Sequence, residues 1–462
     1  MNRHLFLAFS WTFGHVGDVG ITAGFLRFLQ ERKPELPVRL LAWQGRENPE
    51  FSRAQSYYPQ HHAPTEVYPN IFRELIGDDA PEEGAWRRLV GRWGRRRLEN
   101  FERGCLGSRE AAAMADDLLE RFPLELYREL ESRHPDLATL FSEAGFCLFN
   151  ASTSLSFGRL GVRNWWGQTL GNAMPLLIAR ALKLPYGLSP QSIEAVDWPV
   201  DLVYRPLFRE ARFLYTRDSD SLLYLEQRRL LNRNSGFGAD TTFFFNRPDT
   251  AWATEFLKTR DLAEGGFAVV MVRIPICRPG SPDPVANAIP PERLARLMDQ
   301  NREVIEQWIA RTGLKVLIAH EGADTIASAR EHLWSLLSPE AKGKVVCLEE
   351  FWTTEQAFAV YQRARLMISM EIHSTFLALG AGTPVVHHPF VEAGRKMEVF
   401  RDLGLGDWLI DADEGSPGEI LAAAFAIHEN HTAAQARIAA VLPGLEAKAA
   451  SIIAEIERNW RS

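Results

Sequence analysis

The sequence predicts an α/β protein of two domains, each built on a parallel sheet, with a helical insertion in the first. Three observations predict it. Short apolar runs of strand length alternate with segments of helical periodicity, the pattern of βαβ units. The alternation pauses between Asn246 and Gly266, where NRPDT leads into a helix and a Gly-Gly turn, and then restarts. At 462 residues, 46% hydrophobic and 24% charged, the chain has a globular composition and is too long for one ordinary core.

The first half offers strands at His4 to Ser10, Val38 to Trp43, Phe146 to Asn150, Pro185 to Leu188 and Arg212 to Thr216. Helices are expected at Asn172 to Leu182 and Ser219 to Arg229. The second half offers strands at Phe267 to Val272, Lys315 to Ala319, Lys344 to Leu348, Leu366 to Met370 and Pro384 to His387. Helices at Pro291 to Arg311, Asp324 to Leu337 and Thr354 to Arg363 fill the gaps. The expected domains are therefore 1–250 and 251–430. An Ala-rich amphipathic helix in 431–462 is expected to pack back across both.

The insertion, at about 81–135, is helical in pattern. Its first part sets Arg87, Arg88, Arg92, Arg95, Arg96 and Arg97 around Trp86, Leu89, Val90, Trp93 and Leu98. Such a helix can rest on anionic lipid or hold a phosphorylated acceptor. The plainer reading is a solvated helix whose tryptophans pack on the domain beneath, and Gly91 and Gly94 weaken the helix itself.

A net charge of −7 gives no global reason to bind nucleic acid, and none is expected as a partner. Cys105, Cys147, Cys277 and Cys347 are scattered without a CxxC pair, so neither a disulfide framework nor a zinc site is indicated. The N-terminal apolar run is too short for a signal peptide and reads as a first buried strand. No run reaches the roughly 18 apolar residues of a spanning helix. The expected location is the cytoplasm, with any membrane contact peripheral, at the inner membrane face.

Leu366 to His388, LMISMEIHSTFLALGAGTPVVHH, is the most informative stretch. An apolar strand breaks into a polar tip of Glu371, His373 and Ser374 and then a short helix. In open α/β sheets ligands sit at such strand ends, where helix N–H groups attract anions. His373 is thus placed for chemistry on a negatively charged substrate; the plainer alternative is a residue that packs the turn. His387 and His388 lack a spaced carboxylate or Cys to complete a metal site with His373, so no metal is expected.

Several ordered segments resemble the polysaccharide pyruvyl transferase family. They are GHVGDVGITAGFLRFL (Gly14 to Leu29), YGLSPQSIEAVD (Tyr186 to Asp197), REARFLYTRDSDSLLYL (Arg209 to Leu225) and GADTTFFF (Gly238 to Phe245), this last as a closing strand. IAHEGAD (Ile318 to Asp324), the tip EIHSTFLALGAGTPVV and GRKMEVFRDLGL (Gly394 to Leu405) follow in the second half. The resemblance implies two Rossmann-like domains facing each other across a cleft, the GT-B arrangement. It also implies transfer of a pyruvyl group from phosphoenolpyruvate to sugar hydroxyls as a ketal, without cofactor or metal, in polysaccharide or exopolysaccharide biosynthesis. The acceptor would be a glycan or lipid-linked saccharide. Two departures stand out: Glu371 where the family usually has Arg, and NASTS (Asn150 to Ser154) where it usually has a Gly-rich turn. A carboxylate at 371 is expected to repel the donor.

Phosphoenolpyruvate needs several cations and an acid for its methylene carbon. His373 is the candidate acid or base because its ordinary pKa is near neutrality, and Glu371 is an alternative base. Arg217, Lys396, Arg395 and Arg273 are the candidate donor-binding cations, Arg217 and Lys396 being favoured. For Arg217 the alternative is an ion pair with Asp218 or Asp220; for the others, a solvated charge. Asp18 is expected to orient an acceptor hydroxyl or to cap its helix. Gln191, Ser192 and Ser374 supply further polar groups at strand ends, with turn hydrogen bonds as the simpler role; His320 and Glu321 end a strand of the second half and are expected on the donor side, with a capped turn before the helix at Asp324 as the plainer alternative. Two other functions stay open: a GT-B glycosyltransferase with a nucleotide-sugar donor, and a degenerate non-catalytic glycan-binding member.

Overall fold

The structure, a computed structural model, describes residues 3–70, 97, 100–101, 104–156, 168–274 and 289–461. Seven strands form the first sheet: β1 (His4–Ser10), β2 (Val38–Ala42), β3 (Thr65–Tyr68), β4 (Ala144–Phe149), β5 (Tyr186–Gln191), β6 (Leu214–Thr216) and β7 (Ser235–Phe237). Their order is β3-β2-β1-β4-β5-β6-β7, with every pair parallel. The second sheet holds β8 (Phe267–Met271), β9 (Lys315–Ala319), β10 (Val345–Cys347), β11 (Leu366–Ser369) and β12 (Val385–His387), in the parallel order β10-β9-β8-β11-β12. Strands β1, β4, β8 and β11 are buried along their whole length, as sheets covered by helices on both faces require.

Both sheets are Rossmann-like. In each the order reverses beside its first strand, at β1/β4 and at β8/β11, and the crevice outside the carboxyl ends at that point is where open sheets bind ligands. Here the two crevices face one another.

The helix Val16–Arg32 lies between the lobes, and its glycines set how closely they approach. A Cβ on Gly20 would stand 3.1 Å from Thr242 and 3.3 Å from Leu377; one on Gly24 would stand 2.0 Å from the Thr241 carbonyl oxygen. Glycine in a helix interior costs about 1 kcal/mol relative to alanine, and here close interlobe packing offsets it.

GADTTFFF is not a closing strand. β7 precedes it, and Thr241–Phe244 is a 3-10 turn capped by the Asp240 carboxylate, which accepts from the Thr242 N–H. The apolar run is a wedge rather than a strand: Phe244 packs on Phe28 at 4.6 Å and Phe243 on Phe376 at 4.8 Å, from opposite lobes. Smaller differences remain. β3, β7 and the helices Pro49–Tyr57, Asp201–Glu210 and Pro417–Glu429 lie outside the expected elements, and the helix from Thr325 ends at His332 before a 3-10 turn at Trp334–Leu336.

Within the insertion, helices Ser108–Leu119 and Arg121–Arg133 bury Leu118, Phe122, Leu126 and Leu130 against the first sheet's helices, and the helix Pro135–Ser142 follows it. Arg97 is exposed, and the Arg-Trp stretch before it lies outside the described residues. No helix among the described residues is long and apolar enough to cross a membrane. The last helix, His431–Arg458, spans the lobes: Lys33 pairs with Glu457, and the Arg461 N–H donates to the Gly145 carbonyl at 2.9 Å.

Candidate functional site

The loop after β1 supplies Trp11 and Thr12, and the first turn of the helix Val16–Arg32 supplies Asp18; the loop after β4 supplies Ser152 and Ser154; Arg217 follows β6, and His373 follows β11 of the other lobe. Together they line a cavity of about 290 Å³ between the lobes. His373 is buried, and its Nδ1 has no hydrogen-bond partner. Burial, then the nearby charges of Arg217 and Lys396, hold its pKa well below the ordinary value, so the imidazole is neutral at physiological pH. Gly17 backs it: a Cβ there would stand 2.1 Å from the His373 Cβ.

Arg217 and Asp240 are both buried and pair at 2.7 Å, while Arg217 Nε donates to Ser192 Oγ at 2.8 Å. The expected partners Asp218 and Asp220 are engaged elsewhere. Asp218 caps the next helix through the Ser221 N–H and accepts from Ser192 Oγ; Asp220 takes Arg395. Lys396 forms no ion pair among the described residues, and its charge reaches Asp18 and His373. Burial, then Arg273 and Arg217, lower its pKa. Of the favoured trio, His373 and Arg217 line one cavity, and Lys396 lines the neighbouring pocket with Arg273, within electrostatic reach of both.

Arg273, at the end of β8, donates to Glu371 Oε2 at 2.9 Å. The Glu371 carboxylate, expected to repel an anionic donor, is thus an ion-paired one. Its charge is matched by Arg273, which shares a small pocket with Glu371 and Lys396, so a guanidinium still stands beside the site.

A feature absent from the sequence reading is a bridge across the cleft through His15. His15 Nε2 stands 3.4 Å from Glu321 Oε1, and its Nδ1 stands 3.9 Å from Asp18 Oδ1. Burial and the neighbouring Glu371 push Glu321 up to about 7, and burial raises Asp18. For His15 burial acts downward, but Glu321, Asp18 and Glu371 outweigh it and hold the ring's pKa up. Glu321 Oε2 accepts the Ser374 N–H at 2.5 Å. The anion position at the start of the helix Ile372–Gly380 is thus already filled by the protein's own carboxylate. His15, Glu321 and Glu371 also bring ligand atoms within 4.8 Å of one another, the one set among the described residues that could hold a cation. Arg273 on Glu371 and the Ser374 N–H on Glu321 compete for those oxygens.

The raised Glu321 carboxyl gives a signed expectation. Folded Glu321 keeps a proton that the unfolded chain releases near pH 4.5, so its contribution to stability is present below that pH and lost as pH rises to about 7. Melting temperatures measured from pH 4.5 to 7.5 should decline for the wild type relative to Glu321→Gln. Parallel curves would refute the shift.

The other expected residues lie around this centre rather than in it. Arg395 clasps the lobes, pairing with Asp220 at 2.7 Å, bonding Glu194 and stacking over Tyr224 at 4.6 Å. His320 is corrected outright. It is fully buried with Nε2 on the Leu348 carbonyl, because the strand end turns its neighbour Glu321, not His320, to the cleft. Gln191 ties β5 to Asn150 and Ser152, Ser192 joins Arg217 to Asp218, and Ser374 is buried beneath the tip. His387 and His388 are held in the core by Ser369 and Asn301, both pushed down to about 3, chiefly by burial. Sequence reasoning passed over His15, Trp11, Trp43 and Asp240. His15 alone carried a local signal, between Gly14 and Asp18 in the first strand-to-helix turn.

The sequence matches the family described as polysaccharide pyruvyl transferase over residues 16–387. No curated protein matches it in sequence. Similar solved structures include the UDP-GlcNAc 2-epimerase of Neisseria meningitidis bound to UDP-GlcNAc, with TM-score 0.53, 10% identity, and coverage of 98% of this chain and 99% of that one. The UDP-GlcNAc 2-epimerase of Methanocaldococcus jannaschii gives TM-score 0.52 at 10% identity, covering 92% of each chain. Medicago truncatula UGT71G1 with UDP-glucose gives 0.51 at 8%, covering 98% of each. At these identities the likeness establishes the fold, which is GT-B.

Proposed function

The chain belongs to the polysaccharide pyruvyl transferase family, and from that premise we propose that it transfers a pyruvyl group from phosphoenolpyruvate to hydroxyls of a glycan acceptor. The observation that carries the reading is Lys396: an ammonium with no ion pair among the described residues, lining a pocket with Arg273 and close enough to Arg217 and the neutral His373 imidazole to act on both. Arg217 and Arg273 are already matched by Asp240 and Glu371, so the ammonium of Lys396 is the charge that lacks a paired anion. A phosphate and a carboxylate on one small molecule match that demand.

The residues divide the chemistry. A proton added to the methylene carbon of phosphoenolpyruvate makes it a methyl group and leaves C2 cationic. An acceptor hydroxyl adds to C2, and neutral His373 takes its proton. A second hydroxyl then displaces phosphate, which leaves with that hydroxyl's proton, and the ketal is complete. His373 is a poor first acid because it is held unprotonated. We assign the methylene proton to Asp18, which lines the cavity and which His15 links to the Glu321 carboxyl. The links of 3.4 and 3.9 Å are longer than hydrogen bonds and would tighten on closure, as catalytic contacts in empty sites often do.

Phosphate release from phosphoenolpyruvate, dependent on an added glycan pool, is the test. His373→Ala should lower the rate about 10²–10⁴-fold, the usual range for a general base. Stabilisation by UDP-GlcNAc or UDP-glucose, with no response to phosphoenolpyruvate, would instead favour a nucleotide-sugar donor.

A further inference from the structure

Along the sheet order β2-β1-β4-β5-β6 the cavity runs from Trp43 and Trp11, which follow β2 and β1, to Arg217, which follows β6 and whose charge reaches Asp18 and His373. The two indoles are 5.2 Å apart and inclined at 51°, and Phe9 packs edge-on behind Trp43 at 5.5 Å. Trp11 is fixed, because its indole N–H donates to the Ala151 carbonyl at 2.9 Å. Its polar handle is spent inside the protein, so what it presents to the cavity is ring surface.

A small dianion gains nothing from such a wall. Phosphate and carboxylate lose hydration against indole faces without any charge or donor in return. A pyranose ring has the opposite needs: an apolar C–H face to cover and a rim of hydroxyls to bond. The rim has partners here. Ser152 and Ser154, from the segment that departs from the family's Gly-rich turn, line the cavity with Asn172, whose Nδ2 donates to the Ser154 carbonyl at 3.1 Å. Ser152 Oγ is itself held by Gln191 Oε1 at 2.8 Å, so the polar rim is as fixed as the aromatic wall. At about 290 Å³ the cavity is of single-ring scale, at the lower edge of the ~300–1,000 Å³ common for ligand sites.

We propose that the Trp11–Trp43 wall and the Ser152–Ser154–Asn172 rim form the acceptor subsite, taking one pyranose ring of a saccharide with its reacting hydroxyls toward His373 and Asp18. The assignment rests on the transferase reading above, but it concerns the end of the cavity away from the cations and can fail separately.

Saturation-transfer NMR on the whole protein tests it, with methyl glycosides of glucose, galactose, mannose and N-acetylglucosamine at millimolar concentration, each with and without phosphoenolpyruvate. At least one glycoside should receive saturation through its ring protons. Trp43→Ala should reduce that transfer at least fivefold, and Trp43→Phe should retain more than half. Trp43 is half-buried, so both variants should fold. Phosphoenolpyruvate affinity, read by calorimetry on the same samples, should change less than twofold. The proposal is overturned if no glycoside is saturated under either condition, or if Trp43→Ala transfers as the wild type does. It is also overturned if Trp43→Ala loses phosphoenolpyruvate and glycoside binding together. Retained glycoside binding with no response to phosphoenolpyruvate would support the subsite and refute the donor.

Discussion

Gly17→Ala is expected to lower turnover by about 10²–10⁴-fold, as much as removing the His373 imidazole itself. Helix propensity argues weakly the other way, since Gly17 is the second residue of its helix and the preference for alanine belongs to helix interiors. Geometry overrides propensity here. The new methyl would stand 2.1 Å from the His373 Cβ and 2.8 Å from its Cγ, and a Cβ cannot swing aside as the end of a flexible side chain can. Either the tip Glu371–Ser374 shifts or the lobes separate, and overpacking of this kind costs about 1–3 kcal/mol in stability. Gly444→Ala is the control. It lies inside the last helix with nothing within 4 Å of the added methyl, and it should be neutral or stabilise by about 0.5–1 kcal/mol. Steady-state rates and melting curves on the two variants check the contrast; a Gly17→Ala enzyme with wild-type turnover would show that His373 is not where catalysis occurs.

The second large effect concerns Asp240. Arg217 and Asp240 are each about 1% exposed, and a buried pair broken on one side costs about 3–5 kcal/mol, because the remaining charge is left without a partner. Asp240→Ala also removes the cap on the Thr242 N–H, worth about 1 kcal/mol, from the wedge that joins the lobes. Denaturant unfolding should therefore show a loss of at least about 3 kcal/mol for the single variant. The double change Asp240→Ala with Arg217→Met should recover part of it, yet bind phosphoenolpyruvate poorly. If the single variant is as stable as the wild type, the pair is not desolvated as described.

What could be read from the sequence follows a physical division. The alternation of apolar strands and helical periodicity is local, and it located most strands of both sheets and the tip at Glu371–Ser374. Partner choice is not local. Arg217 has Asp218 and Asp220 beside it in the chain, but the first is spent on a helix cap and the second on Arg395, leaving the distant Asp240. GADTTFFF has strand composition, yet its phenylalanines fill the gap between lobes, a demand no window of sequence contains. His15 meets Glu321 only when the lobes come together. The sequence shows Glu371 as a carboxylate expected to repel the donor; only the fold sets Arg273 across from it.

Lys396, with Arg273 beside it and Arg217 within electrostatic reach, is expected to hold a small dianion next to neutral His373. Calorimetric titration of phosphoenolpyruvate into wild type and Lys396→Met tests it most directly. A bound dianion should favour charged Lys396, so affinity should weaken as pH rises through the lowered pKa of its ammonium, and Lys396→Met should cost at least tenfold in affinity, about 1.4 kcal/mol. Equal affinity in the two proteins, or no heat of binding in the wild type, would contradict it.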